Sequence, residues 1–254
     1  MRDVCELHEV REVREVRTAP ALQATLLSAR ALRRLAVMLA AGALAILWLG
    51  RWTDLDLVLA DAVFDAHSGT FPWRDAWLTV TFNHVIVKQF LMVLAVGVVG
   101  YALVDACRPR PALSALGRLQ LRIVALSAIL VPAVTSTLKQ LSASHCPWDL
   151  LRYGGEQPYV RLFGAFPADT LPGQCLPAGH ASSALWLVAL AVCWLPARPS
   201  MARTVALLAI GASAMVGYLQ QLRGAHFMTH TLWSIWIACT IVLALIAALQ
   251  ARTP

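Results

Sequence analysis

The sequence predicts an all-α integral membrane protein with six transmembrane helices, and three observations carry that prediction. Of 254 residues, 59% are hydrophobic and only 14% charged, with a mean hydropathy of +0.64, whereas a soluble domain is about 25% charged. Long apolar stretches recur between short polar gaps along most of the chain, the pattern of successive spans. Arginines crowd those gaps, where basic residues set topology. The net charge of +7 raises nucleic acid as a partner, but no basic stripe interleaved with aromatics appears, so nucleic acid is set aside.

Residues 1 to about 30 are polar and charged, with a near-repeat at Glu9-Val10-Arg11, Glu12-Val13-Arg14 and Glu15-Val16-Arg17. They read as a solvated cytoplasmic tail, or in part as an over-extended start. No cleavable signal peptide is evident, so the first apolar segment, 31–50, is expected to remain as an anchor. Arg30, Arg33 and Arg34 at its start, and Trp48 and Trp52 at its end, place its N-terminus inside. The membrane domain then covers 31–254, with outer loops at 51–84 and 139–179. Within 53–84, Asp54, Asp61 and Asp65 fall on one helical face. An amphipathic helix on the outer surface fits this pattern; a plain connecting loop with an aromatic belt fits it equally.

A second span covers 85–104, with Lys88 near its outer end, where a long side chain can snorkel. Residues 105–122 carry four arginines and two prolines and form an inner loop. The third span, 123–138, contains Pro132, which is tolerated in a membrane helix and often kinks it. Residues 139–179 form the longest polar stretch after the tail, and loops of this length are usually functional. Spans four, five and six follow at about 181–195, 204–219 and 232–249. Both termini then lie inside, and three polar clusters share the outer face: Lys139 onward, Pro177 to His180, and Arg223 to His230.

Those clusters hold the parts that phosphoryl chemistry needs. Pro177-Ala178-Gly179-His180 leads straight into an apolar helix, and the first turn of a helix presents unpaired N–H groups and a positive dipole end to an anion. Ala178 and Gly179 add little bulk, so a ligand can approach closely. Lys139 and Arg223 supply cations, and His180 and His226 are histidines, suited to serve as nucleophile and general acid near neutral pH. Lysine is otherwise absent except for Lys88.

In these residues the sequence resembles the type-2 phosphatidic acid phosphatase superfamily, membrane lipid phosphatases that share their site with vanadium haloperoxidases. The family pattern is Lys-x6-Arg-Pro, then Pro-Ser-Gly-His, then Ser-Arg-x5-His-x3-Asp. Lys139 followed after six residues by Cys146-Pro147 matches the first with Cys for Arg, and Pro177-Ala178-Gly179-His180 matches the second with Ala for Ser. His226 and His230 keep the spacing of the third, with His230 replacing the aspartate and Gln220 standing at the arginine position. The resemblance spans roughly 121–249. It implies that His226 is the nucleophile of a phosphohistidine intermediate and that His180 protonates the leaving oxygen. It also implies that Lys139, Gly179 and Ala178 hold the phosphoryl oxygens, with Arg223 replacing the missing guanidinium from the next turn. No cofactor is implied.

What orients His226 stays open at this stage. No acidic residue follows Asp169, so either His230 serves as a neutral acceptor or Asp149 or Glu156 reaches in from the outer loop; His145, Arg152 and Arg161 are further loop candidates. Cys146 and Cys175 both fall in that loop beside a motif. A bridge between them in an oxidising periplasm would tie the Lys139 end of the site to the His180 end and stabilise by roughly 3 to 4 kcal/mol; two free thiols are the alternative. Cysteine and histidine spacings do not suggest a zinc site. The expected function is hydrolysis of a lipid phosphate or diphosphate at the outer face of a bacterial inner membrane. The alternatives are a lipid phosphotransferase and a non-catalytic lipid-binding protein with a degenerate phosphate pocket.

Overall fold

A computed structural model describes residues 25–168 and 170–251, so the Glu-Val-Arg repeat, Cys5 and most of the expected tail lie outside the described residues. The described residues form helices, with two isolated β-bridges and no strand among them. Seven α-helices follow in order: α1 (Ala29–Trp52), α2 (Leu55–Asp61), α3 (Lys88–Cys107), α4 (Ala115–Gln140), α5 (Gly179–Leu185), α6 (Pro199–Leu222) and α7 (Met228–Gln250). A π-helical stretch, Leu78–Val87, runs without a break into α3, and a 3₁₀ stretch, Trp186–Trp194, continues α5. Five helices are long and apolar enough to cross a membrane: α1, the joined Leu78–Cys107, α4, α6 and α7.

The apolar helix Gly179–Trp194 is shorter. Its seven α-helical and nine 3₁₀ residues, at about 1.5 and 2.0 Å each, reach roughly 28 Å, against ~30 Å for a hydrocarbon core. The tighter winding lengthens it per residue.

Two spans begin earlier than the apolar pattern predicts, and in each case polar side chains are satisfied locally. Helix α4 starts at Ala115 because Ser114 caps it, accepting from the Gly117 N–H at 3.1 Å. Buried Asp105 then holds Arg118 at 3.2 Å and the Arg110 N–H at 2.9 Å. The segment before α3 is helical from Leu78, so the outer loop ends at 77 rather than 84. There Thr79 Oγ1 donates to the Trp73 carbonyl at 2.6 Å, and the Asn83 amide donates to the Val216 carbonyl on α6 at 3.2 Å. Pro132 lies inside a continuous α4.

Helix α4 and the α5–3₁₀ rod form the centre, burying Ile123, Val131, Leu185, Ala189 and Val192 against Ala238 and Val242 of α7. Helices α1 and α3 leave Val37, Met38, Leu44, Phe90, Val93 and Val96 exposed, apolar faces of the kind lipid covers. A second apolar cluster, Ala60, Phe71, Leu150, Tyr153 and Phe227, lies where the two outer loops meet the start of α7.

The expected amphipathic surface helix is only the seven residues of α2, and the exposed Asp54 and Asp61 beside and within it are paired with arginines. Asp61 accepts two bonds from Arg152 at 2.8 and 2.7 Å and one from the Tyr153 hydroxyl at 2.8 Å. The Arg152 bonds hold the Asp61 carboxyl below its ordinary range. Arg161 pairs with Asp54 at 2.5 Å and with the Thr53 carbonyl at 2.7 Å. Exposed pairs of this kind contribute little individually, but together they fix the register between the outer loops.

Gly224, in the turn between α6 and α7, has φ +71°, and a Cβ there would collide with the Phe71 ring. Gly224→Ala is therefore expected to lower stability by roughly 1 to 3 kcal/mol, read as a fall in thermal midpoint in detergent. An unchanged midpoint would show that this turn is not seated against Phe71.

Candidate active site

Three segments converge at one end of the bundle: the last turn of α4, the approach from Cys175 to α5, and the turn from α6 to α7. Helix α4 carries Lys139 in its last turn, beside Gly179; a Cβ on Gly179 would meet Lys139 Cδ at 3.4 Å. His180 is the second residue of α5 and His230 the third of α7, while His226 sits in the intervening turn. The His180 and His226 ring centroids are 6.4 Å apart, and those of His226 and His230 are 5.8 Å apart.

The approach to α5 is stitched on both sides. Gly173, Gln174 and Cys175 donate their N–H groups to the carbonyls of Ala143, Ser142 and Ser144, at 3.1, 2.9 and 2.9 Å. On the other side the Ala178 N–H donates to the His230 carbonyl at 3.1 Å, and Ser234 Oγ donates to the Ala178 carbonyl at 3.0 Å. This corrects the expectation for Ala178, whose N–H is engaged by α7 instead of being offered to a ligand. Gly179 follows with no side-chain cap on its helix.

Cys146 and Cys175 form a disulfide, with Cα atoms 5.3 Å apart. Among the described residues, the group with metal-ligand spacing is Cys146, Cys175 and His226, and its two sulfurs are bonded to each other. That leaves one imidazole as a donor.

Gln220 and Arg223 form a unit. Gln220, 1% exposed, accepts at Oε1 from Arg223 Nη1 at 3.0 Å. Arg223 Nε donates to the Arg74 carbonyl at 2.9 Å, and the guanidinium lies 5.6 Å from the Trp148 ring centroid. The glutamine at the expected arginine position thus holds an arginine three residues on. Asp149 and Glu156 do not join the site: Asp149 accepts from the Cys146 N–H at 3.2 Å, and Glu156 is exposed.

Two residues outside the predicted set belong to the same region. His84, in the π-helical stretch, stacks on His180 with ring centroids 3.9 Å apart. Its Nδ1 and both His180 nitrogens are buried without hydrogen-bond partners. The charges of Lys88 and Arg223 act on both rings. A helix that places His84 and Lys88 four residues apart on one face is the signal that could have found them. Asp56 is the second, a 6% exposed carboxylate that accepts from the Thr229 N–H at 3.0 Å and from the Thr229 hydroxyl. Phe227, the N-cap of α7, has no capping side chain, so Asp56 caps that helix from a distance. Burial pushes the Asp56 carboxyl above its ordinary range, against the Thr229 bonds that lower it. A cavity of ≈ 20 Å³, room for about one water, separates groups that include Asp56, His145 and His230.

With this geometry in hand, the family model of the PAP2 superfamily matches residues 120–254. The chain belongs to the PAP2 superfamily. Its activity class is therefore phosphatase-type, in a membrane protein. No curated protein and no solved structure matches the chain. The matched stretch contains Lys139, His180 and His226, and leaves His84 and Asp56 in the part that the family model does not cover.

His226 is 4% exposed. Burial first, and then the charges of His230, His180 and Lys139, hold its imidazolium well below the ordinary value of 6.5. The ring is neutral at pH 7, with a lone pair available. The same shift makes a stability prediction. Below about pH 6.5 the unfolded chain binds a proton at this position that the folded chain refuses, so stability falls with pH. The thermal midpoint is expected to drop on acidification through that window, and His226→Gln to flatten the slope by one proton's contribution. Identical slopes in both proteins would contradict a neutral buried His226.

Asp56 makes a second prediction. Asp56→Ala removes the cap of α7 and is expected to cost roughly 1 to 3 kcal/mol, whereas Asp56→Asn, which keeps an acceptor oxygen, retains most of the stability.

Proposed function

We propose that the chain is a metal-independent phosphatase that hydrolyses a lipid phosphate or diphosphate through a phosphohistidine on His226. The observation that carries this reading is the pairing of a buried, neutral His226 with His180 across 6.4 Å, beside a lysine and an uncapped helix start. His226 Nε2 attacks the phosphorus, forming a P–N bond as the P–O bond to the lipid breaks, and His180, which takes up a proton as the anionic substrate binds beside it, gives that proton to the departing oxygen. A water then loses a proton to His180 and attacks the phosphorus. The P–N bond breaks, inorganic phosphate leaves, and both histidines return to their starting forms. Lys139, the Gly179 N–H and Arg223 oppose the charge on the phosphoryl oxygens, and His84 completes the wall behind His180.

Six spans, counting the stretched Gly179–Trp194 rod as the fourth, support a topology with both termini inside. Lys139, Gly179 and the Arg223-to-His230 turn then lie at the outer membrane face, the periplasmic side of a bacterial inner membrane. There a lipid phosphate can meet them without its chains leaving the bilayer.

Phosphate release from a panel of lipid monophosphates and diphosphates, with chelator present, tests the reading. His226→Ala is expected to remove turnover down to background, about 10³-fold or more, and His180→Ala to lower kcat by about 10² to 10⁴. Arg223→Ala is expected to raise KM and lower kcat/KM. Full turnover in His226→Ala would refute the phosphohistidine route.

A further inference from the structure

The family pattern places an aspartate where this chain has His230, yet His226 is not left without a partner. Its Nδ1 lies 3.4 Å from the sulfur of Cys175. Cys175 is itself immobilised. It is fully buried, its N–H is held by the Ser144 carbonyl at 2.9 Å, its side chain is bonded to Cys146, and its sulfur rests 3.2 Å from the Ala225 carbonyl. Cys146 is in turn anchored by Asp149, which accepts from its N–H.

The chemistry of this contact is directional. A sulfur in a disulfide carries no proton, so it can only accept. Nδ1 facing it is therefore the protonated nitrogen, and Nε2 keeps the lone pair; the partner of one ring nitrogen sets the state of the other. We propose that the Cys146–Cys175 disulfide is the positioning element for His226, locking the imidazole in the Nδ1–H tautomer in place of the missing carboxylate. The inference rests on His226 being the nucleophile. It also makes turnover depend on the bridge. A dithiol reductant supplies two electrons and, with two protons, converts the S–S bond into two S–H groups while the dithiol becomes a disulfide. The Cys175 thiol can then donate to Nδ1, and a proton moved to Nε2 occupies the position from which attack starts.

The test uses the full chain in detergent, with a dioleoyl phosphatidate substrate and chelator in every arm. Chelator is needed because the opened thiols and His226, whose ligand atoms lie within 4.8 Å of one another, would take up a soft divalent ion. Cys146→Ala, which leaves Cys175 as a free thiol, and the dithiol-reduced wild type are each expected to lose about tenfold to a hundredfold in kcat, the range seen when a histidine loses its orienting partner. KM should stay within about twofold, and reoxidation should restore the wild type. In ¹⁵N-histidine spectra, assigned with His226→Ala, the oxidised protein should show Nδ1 protonated, and the reduced protein should lose that signature. Wild-type kcat in a folded Cys146→Ala variant, or an unchanged Nδ1–H signature after reduction, overturns the proposal. If Cys146→Ala does not fold, the spectrum of the reduced wild type decides. Activity surviving in oxidised His226→Ala overturns the nucleophile assignment instead, and the tautomer measurement separates the two failures.

Discussion

One main-chain hydrogen bond, from the Ala178 N–H to the His230 carbonyl at 3.1 Å, joins the start of α5 to the start of α7, and the site depends on that junction. His180 lies two residues beyond the donor, and His226 lies four residues before the acceptor. Neither helix has a side-chain cap of its own at this end. The uncapped starts are therefore held by tertiary partners. Ser234 returns a second bond to Ala178 at 3.0 Å, the Cys175 sulfur rests against the turn, and Asp56 binds Thr229 from across the molecule. At the far side of the turn, α6 and α7 approach closely enough at Gly217 that a Cβ would collide with Thr231. Between these constraints the turn carrying His226 has little freedom, and preorganisation of that kind is what an acyl- or phosphoryl-transfer site requires.

The part of the chain before residue 120 supplies supports to the candidate site. The Arg152–Asp61 and Arg161–Asp54 pairs tie the long outer loop to α2, and α2 delivers Asp56 to α7. The π-helical stretch brings His84 against His180, and π-helical segments are concentrated at functional positions. Its over-wide winding precedes the ordinary α-helix that begins at Lys88.

The legible features were local in sequence. Apolar runs marked the position of each membrane helix, though the second and third start seven and eight residues earlier than read, and Pro177-Ala178-Gly179-His180, Lys139 and the His226–His230 spacing are short patterns that a single segment displays. Cys146 and Cys175 were legible as a pair because both flank motifs in one outer loop. What was hidden depends on distant partners. Asp56 is one of several aspartates in its stretch, and only Thr229, 173 residues away, makes it a helix cap. Arg152 and Arg161 read as loop candidates for the site until Asp61 and Asp54 are brought to them. Ala178 read as a free donor because its acceptor lies on another helix. The start of the second span was misplaced because Thr79 and Asn83 look like loop residues until their hydrogen bonds to Trp73 and Val216 are seen.

The electrostatics of the site follow from what it lacks. The groups that act on His226 are two imidazoles and a lysine, and the carboxylates expected nearby lie elsewhere, Asp149 at the Cys146 N–H and Glu156 exposed. Burial first, and then these neighbours, keep the imidazole neutral, which is the form a nucleophile needs. A carboxylate in the aspartate position would raise its basicity and at the same time pull positive charge into the site. An uncharged acceptor such as the Cys175 sulfur orients the ring without doing so. On the proposed function, the compensating negative charge arrives with the phosphoryl group itself, opposite Lys139 and Arg223. On that reading the pocket discriminates by charge before it discriminates by shape: an anion meets the opposite charge of Lys139 and Arg223, and a neutral headgroup does not.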